Sequence, residues 1–443
     1  MHPAFLARFR PAGPWRFGPD SGARDRVDPI CHSDTLYSAL SAAMARLGVL
    51  EEWFAATVPF PAIRLSSLFP YQGDLLFIAP PRSLWPPATS SRVRWAGARF
   101  VPVNVVELLL TGKTLEEENW LVDGASDCLV PAGGRFRGAG PFRVSLRSSA
   151  AVDRLGAGVE PHLTACLEFA EEAGMWGLVE FTSAEVKEQW GHRVRSALRL
   201  LADCGIGGER SRGWGRSAMP SIREGLVPEL LFRSRGAKEN GEPLELAPES
   251  EGARWLLSLY SPAPDDAVNW RLGNYQMTSR SGRVESPASS GDLKKSLRMV
   301  TEGSVLVSPA PLKGAVRDVA PDGFPHPVYR AGFAVSVPIR WGKPVPPPPP
   351  PPVEEAKIVA APVEEPPPEV VEPPLPEPAP QDLSEPAETE PPVETTADEP
   401  VETGPPAEPA AEEPPAPKPE VAPTSDEPPR APPQATAEGE EAQ

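Results

Sequence analysis

The segment "GIGGERSRGWGR", residues 205 to 216, puts five glycines and three arginines into twelve positions. Glycine lets a backbone come close to a ligand, and the planar fork of arginine matches the oxygens of a phosphate. The chemistry these types suggest is therefore phosphate binding. A nucleotide-binding P-loop needs Gly, four residues, then Gly-Lys-Ser/Thr, and runs from a strand into a helix. Gly208 and Gly213 have the spacing, but Trp214 and Gly215 stand where Lys and a hydroxyl belong. The apolar periodicity also puts a helix before the loop, so the nearest helix end is the negative one. A dinucleotide fingerprint fails because no strand precedes the glycines. What remains is a glycine loop whose backbone N–H groups and Arg210, Arg212 and Arg216 suit a nucleic-acid backbone. A plain helix-to-strand turn with exposed arginines accounts for the same residues, and the loop alone does not separate the two.

Other chemistry-bearing residues are sparse. His32, Ser33 and Asp34 have triad types, but three consecutive side chains cannot converge on one another. Ser33 reads instead as a helix N-cap, with Asp34 complementing the helix dipole. His2, His162, His192 and His326 lack metal-ligand spacing, and so do the scattered cysteines Cys31, Cys128, Cys166 and Cys204. No metal and no cofactor is expected. Arg154 in "AVDRLGAG" suits either a phosphate contact or a turn.

These residues need elements to hold them. Phe5, Ala7 and Phe9 alternate with Leu6, Arg8 and Arg10, which predicts a half-buried first strand. Leu36, Leu40, Ala43, Met44 and Leu47 form one apolar face of a helix that Gly48 ends. A second strand is expected at 74–80. Residues from about 82 to 154 read as an insertion broken by proline and glycine, partly a mobile hairpin, with helical pieces near "NVVELLLTG" and arginines beside aromatics, among them Phe136 and Phe142. Leu163, Ala165, Leu167 and Phe169, the turn "EEAG" and "MWGLVEF" read as a hairpin. Thr182 or Ser183 opens a helix carrying Val186, Trp190, Val194, Ala197, Leu198 and Leu201, with Gly205 as its stop. "SAMPSIR" fits the strand after the loop. Strand, helix, strand, strand, helix, strand is the βαββαβ order of a ferredoxin-like domain, the scaffold also used by RNA-recognition modules. Residues 224–342 read as a second, strand-rich domain, in which Tyr329, Ala331, Phe333, Val335, Val337, Ile339 and Trp341 share one face of a long last strand.

Charge divides the chain at residue 343. The last 101 residues hold 33 of the 62 prolines, with 24 acidic residues against 4 basic ones. The first 342 carry 39 Lys and Arg against 37 Asp and Glu, so the net −18 belongs to the tail. An acidic whole-chain balance thus leaves a nucleic-acid partner open. A tail of "PPPPPPP" and "EEPPP" with no aromatic residue cannot bury enough apolar surface to order itself, and is expected to be disordered with polyproline II character. No run of about 18 apolar residues occurs, and no disulfide framework is spaced, so a cytoplasmic protein is expected.

Taken together and in order, "HSDTLYSAL" (32–40), "VDRLGAG" (152–158), "GIGGERSRGWGR" (205–216), "MVTEGSVL" (299–306) and "HPVYRAGFAVSVPI" (326–339) resemble the fourth subunit of the type III-A CRISPR effector, the Csm complex. That subunit belongs to the RAMP superfamily. The blocks span nearly all of residues 1–342 and none of the tail, which departs from the family pattern. The resemblance implies an α+β fold of two ferredoxin-like, RRM-like domains at 1–223 and 224–342. It implies a non-catalytic subunit that binds the 5′ handle of CRISPR RNA, docks the large polymerase-like subunit beside a backbone RAMP subunit, and meets target RNA through the complex in antiviral defence. Carried onto this sequence, Gly205, Gly207, Gly208, Arg210, Arg212, Gly213, Trp214, Gly215 and Arg216, together with His32 and Ser33 at the helix start and Arg154, would contact RNA. The insertion would be the thumb-like hairpin of RAMP subunits, and Trp214, Phe136 or Phe142 would stack on handle bases. The alternative is a RAMP endoribonuclease maturing CRISPR RNA, with His32 as general acid or base.

Overall fold

The first strand, β1 (Pro3–Phe9), is buried on both faces rather than half-buried: Ala4, Phe5, Leu6, Ala7 and Phe9 are all in the core. The reason is position, since β1 lies in the interior of a sheet covered on each side. The structure is a computed structural model and describes residues 2–19, 22–87, 93–136, 138–152, 158–232, 252–286 and 290–340. After β1 come α1 (Ser33–Arg46), α2 (Leu50–Thr57), β2 (Ile63–Leu65), β3 (Phe69–Gln72), β4 (Leu75–Ile78), β5 (Val101–Pro102), α3 (Val103–Leu110), β6 (Trp120–Asp123) and β7 (Cys128–Pro131). A long pair follows, β8 (Phe142–Val152) and β9 (Val159–Phe169), then β10 (Ala173–Phe181), α4 (Ala184–Cys204), β11 (Ser221–Leu226) and α5 (Val227–Leu231).

The main sheet runs β11-β1-β10-β3-β4-β5, with β2 also beside β10 and every neighbouring pair antiparallel. Register is set by Phe5 opposite Val179 on one side and Glu224 on the other. Helix α4 lies over β1, where a Cβ on Gly191 would stand only 3.2 Å from the Phe5 ring. Its apolar stripe, Trp190, Val194, Ala197, Leu198 and Leu201, is buried as the spacing predicts. Ser183 caps it by accepting from the Val186 N–H, and Gly205 ends it. On α1, by contrast, the N-cap position is His32 and Ser33 is already helical, so the expected Ser33 cap is absent.

The predicted hairpin across "EEAG" is not one. Strand β9 pairs along its whole length with β8, from Phe142 opposite Phe169 to Val152 opposite Val159, while β10 pairs with β1 and β3. The turn at 170–172 passes the chain from ribbon to sheet. The strand after the loop begins at Ser221 and not at Ser217.

The remaining strands are β12 (Ala253–Leu256), β13 (Asn269–Asn274), β14 (Met277–Arg280), β15 (Arg283–Glu285), β16 (Ser290–Leu293), β17 (Leu297–Val300), β18 (Val305–Val307), β19 (Gly314–Asp318), β20 (Tyr329–Phe333) and β21 (Ser336–Ile339). Four make a sheet, β13-β18-β12-β21, and β14-β17, β15-β16 and β19-β20 form ribbons. Among the described residues of 224–340 the one helix is the short α5, and 252–340 is built from strands. The long last strand is also broken: β20 pairs with β19 and β21 with β12, with Ala334 and Val335 between them. Arg330, which falls between Tyr329 and Ala331 on the opposite side of that alternation, is buried as well. Trp255, Val305, Val335 and Val337 join the same apolar core as Phe5, Trp53 and Trp176, and the described residues belong to one compact unit. The acidic tail from residue 343 lies outside the described residues.

Candidate nucleic-acid interface

Helix α4 delivers the chain into the loop at Gly205, and a single turn of 3-10 helix, Arg210–Arg212, lifts the arginines before β11. Close approach explains two of the glycines. A Cβ on Gly207 (φ +92°) would lie 2.2 Å from the Arg16 carbonyl oxygen, and one on Gly215 (φ +78°) 2.1 Å from that of Ile206. Gly208 differs, because its Cβ would meet Arg16 Cδ at an ordinary 3.4 Å. The loop docks on the segment before α1. Gly208 N–H donates to Arg16 O (2.8 Å), Gly215 N–H to Pro14 O (2.9 Å), and the Trp15 indole N–H to Arg216 O (3.0 Å).

The arginines stand at the surface. Arg210 donates to both carboxylate oxygens of Glu285 at 2.7 Å. Arg212 reaches Ser149 Oγ on β8 at 3.1 Å and Glu209 at 3.3 Å. Arg216 is exposed and has no ion pair among the described residues. Exposed pairs of this kind hold about 0–1 kcal/mol, so a phosphate can displace the carboxylates. Trp214 and Phe136 are half-buried, whereas Phe142 packs in the core between Phe100 and Phe169 and is not open for stacking. Arg154 lies outside the described residues.

His32 and Ser33 sit elsewhere in function. His32 is 9% exposed and clamped between two carboxylates, Nδ1 to Glu302 at 2.9 Å and Nε2 to Asp28 at 3.0 Å. Ser67 Oγ–H donates to the same Glu302. Ser33 Oγ accepts from the Leu259 N–H at 3.0 Å. Asp34 is buried against Arg280 and Arg330, with Arg280 NH2 at 3.0 Å from its Oδ1. The start of α1 is thus a buried polar junction to residues 252–340, and its side chains face inward. Burial works hardest on His32 and pushes toward the neutral form, but Glu302 and Asp28 overcome it and raise the imidazolium to about 10. Burial likewise opposes ionisation of Asp28, yet the hydrogen bond and charge of His32, with Arg99 2.7 Å away, pull it down to about 2. Burial acts the same way on Asp34, and Arg280 and Arg330 hold it well below the usual carboxylate range.

Four members of this junction, Asp28, Arg280, Glu302 and Arg330, were not read as site residues from sequence. Glu302 and Arg330 lie inside the blocks "MVTEGSVL" and "HPVYRAGFAVSVPI", so the signal was present as a motif without a partner. Arg16, discussed below, carries no pattern at all.

Comparison with known proteins fits this geometry. Residues 249–339 match the family model of the CRISPR Csm4 C-terminal domain. The CRISPR system Cms protein Csm4 of Mycobacterium tuberculosis, in strain CDC 1551 / Oshkosh and again in strain ATCC 25618 / H37Rv, is 26% identical over 306 residues, 68% of this chain and 86% of the relative. The crystal structure of the Csm3-Csm4 subcomplex in the type III-A CRISPR-Cas interference complex shares the fold, with a TM-score of 0.51 and 16% identity over 76% of this chain and 99% of that one. A mixed α/β, strand-rich body thus carries, at 249–339, a domain of the CRISPR Csm4 C-terminal type. Over about two thirds of its length the chain is similar to Csm4 proteins of CRISPR systems.

Proposed function

We propose that this chain is the subunit of a type III-A CRISPR ribonucleoprotein that grips the 5′ handle of CRISPR RNA, and that it performs no catalytic step itself. It docks a large polymerase-like subunit and a neighbouring backbone RAMP subunit, reaches target RNA through the complex, and serves antiviral defence in the cytoplasm. The carrying observation is the loop: glycines in close backbone contact with 14–16 and 206, and Arg210, Arg212 and Arg216 on the open side. The order β11-β1-β10-β3 with α1 and α4 supports reading the first half as one βαββαβ, ferredoxin-like unit. The nearly neutral body suits a protein that holds one short RNA among partners that supply further charge. The tail is read first as a solubilising appendage, and otherwise as a spacer or interaction tail that repels other nucleic acids.

A nuclease reading would need His32 as general acid or base. Its burial, its two carboxylate partners and a protonation midpoint near 10 speak against that role at neutral pH.

The test is guide-RNA occupancy of the purified complex. Arg210→Ala with Arg212→Ala, and separately Gly208→Asp, should lower repeat-RNA affinity about tenfold or more, since charged hydrogen bonds contribute about 1.5–3 kcal/mol each. Gly208 is the useful site because an added Cβ makes only ordinary van der Waals contact there, and an unchanged thermal melt of the variant would show that loss reports charge rather than collapse. Unchanged occupancy in both variants would sink the proposal.

A further inference from the structure

Arg16 is 7% exposed, yet among the described residues its guanidinium makes no hydrogen bond to a carboxylate. Its donors go to main-chain oxygens: NH1 to Arg24 (2.9 Å), Arg26 (3.0 Å) and Ala165 (2.8 Å), and NH2 to Ala23 (2.8 Å). Two more bonds close the same strap, Ala165 N–H to Arg24 O (2.7 Å) and Asp28 N–H to Phe17 O (2.9 Å). With their carbonyls turned in toward Arg16, Arg24 and Arg26 are exposed. The main chain of Arg16 does the other half of the work. Its carbonyl accepts from Gly208, and Arg16 bridges Gly207 in the short parallel ladder that seats the glycine loop. One residue therefore ties two arginine-bearing segments together, 23–26 by its side chain and 205–216 by its backbone.

We propose that Arg24 and Arg26 extend the phosphate-binding surface of the 205–216 loop along a single-stranded RNA backbone, and that Arg16 is the positioning residue that holds both segments in one surface. This rests on the RNA-binding reading above and adds residues to it. Arginine suits the buried post because its planar fork serves several carbonyls at once, which a lysine ammonium cannot match in geometry. The two segments themselves hold the exposed Asp25 and the half-buried Glu209, and the exposed Glu285 pairs with Arg210. They leave the strap and loop with five arginines, 24, 26, 210, 212 and 216, against three carboxylates.

The experiment is salt-dependent binding of the full chain to a fluorescein-labelled single-stranded RNA of the CRISPR repeat, across a KCl series. Each phosphate contact to a single strand contributes about 0.7 to the slope of log affinity against log salt. Arg24→Ala with Arg26→Ala should flatten the slope by about 1.4. Arg16→Met should flatten it comparably although both arginines remain, and Arg16→Lys should recover part of the loss. A wild-type slope in the double variant, while Arg210→Ala with Arg212→Ala flattens it, overturns this inference and leaves the loop reading standing. Wild-type slopes in both double variants overturn the RNA-binding reading itself. Should Arg16→Met fail to fold by its thermal melt, the exposed Arg24 and Arg26 decide the matter alone.

Discussion

His32, Ser33 and Asp34 form the junction between α1 and the strands of 252–340, a role their sequence neighbourhood does not announce. Asp34 neutralises two buried guanidiniums, and a buried pair that loses one partner typically costs about 3–5 kcal/mol because the other charge is stranded. The His32 cluster gives a pH signature. The folded imidazolium holds its proton to about 10, against 6.5 for the free side chain, so its stabilisation is complete below 6.5 and is lost as pH rises through 10. Asp28, pulled to about 2 from 3.8, behaves oppositely, and its share is lost as pH falls below 3.8 toward 2. The thermal midpoint should therefore fall between pH 6.5 and 10, with a limiting slope of about 1.4 kcal/mol per pH unit. His32→Gln should remove that decline, and a wild-type midpoint that stays flat over the range would contradict the clamp. Reading Ser33 as a cap failed because its partner, Leu259, lies 226 residues on, and local spacing carries no information about a bond of that range.

Elements with a strong period were legible. The apolar stripes of α1 and α4, the Ser183 cap, the Gly205 stop and the presence of a first strand follow from local chemistry, whereas the burial of both faces of β1 does not. Pairing was not legible, because alternation tells which face a residue takes and not which strand lies beside it. β9 shows this: its turn into β10 looks like a hairpin, yet its partner is β8. The 329–339 segment shows it again, since one uninterrupted apolar alternation is shared between a ribbon and a sheet. The loop gave its glycines and arginines to the sequence but hid its floor, the 14–16 segment. That floor makes a specific demand at Gly207. Gly207→Ala places a methyl against the Arg16 carbonyl at a positive φ, and should weaken repeat-RNA binding and lower stability by about 1 kcal/mol or more. Gly208→Ala, where the methyl fits, should leave the melt unchanged. Equal thermal melts and equal RNA binding for the two variants would show that the loop does not rest on this contact.

At the scale of the whole molecule, composition was more informative once the chain was divided. The −18 charge suggests a protein that avoids nucleic acid, whereas residues 1–342 are close to neutral and carry their arginines in local groups. No helix among the described residues is long and apolar enough to cross a membrane. The resemblance to Csm4 is carried by five short blocks, and the structure explains four of them physically: the α1 junction, the glycine loop, and the two blocks that bring Glu302 and Arg330 to that junction. What no block revealed is how the described residues of 252–340 divide into one sheet and three ribbons, since alternation there carries no pairing.

The central claim is that the 205–216 loop holds the repeat-derived end of a guide RNA. Ultraviolet cross-linking of the assembled ribonucleoprotein, followed by mass spectrometry of RNA-linked peptides, measures this directly. The account predicts that handle nucleotides become linked to the peptides spanning Gly205 to Arg216, with Trp214 among the linked side chains. Handle cross-links confined to other subunits, with none on this chain, would contradict it.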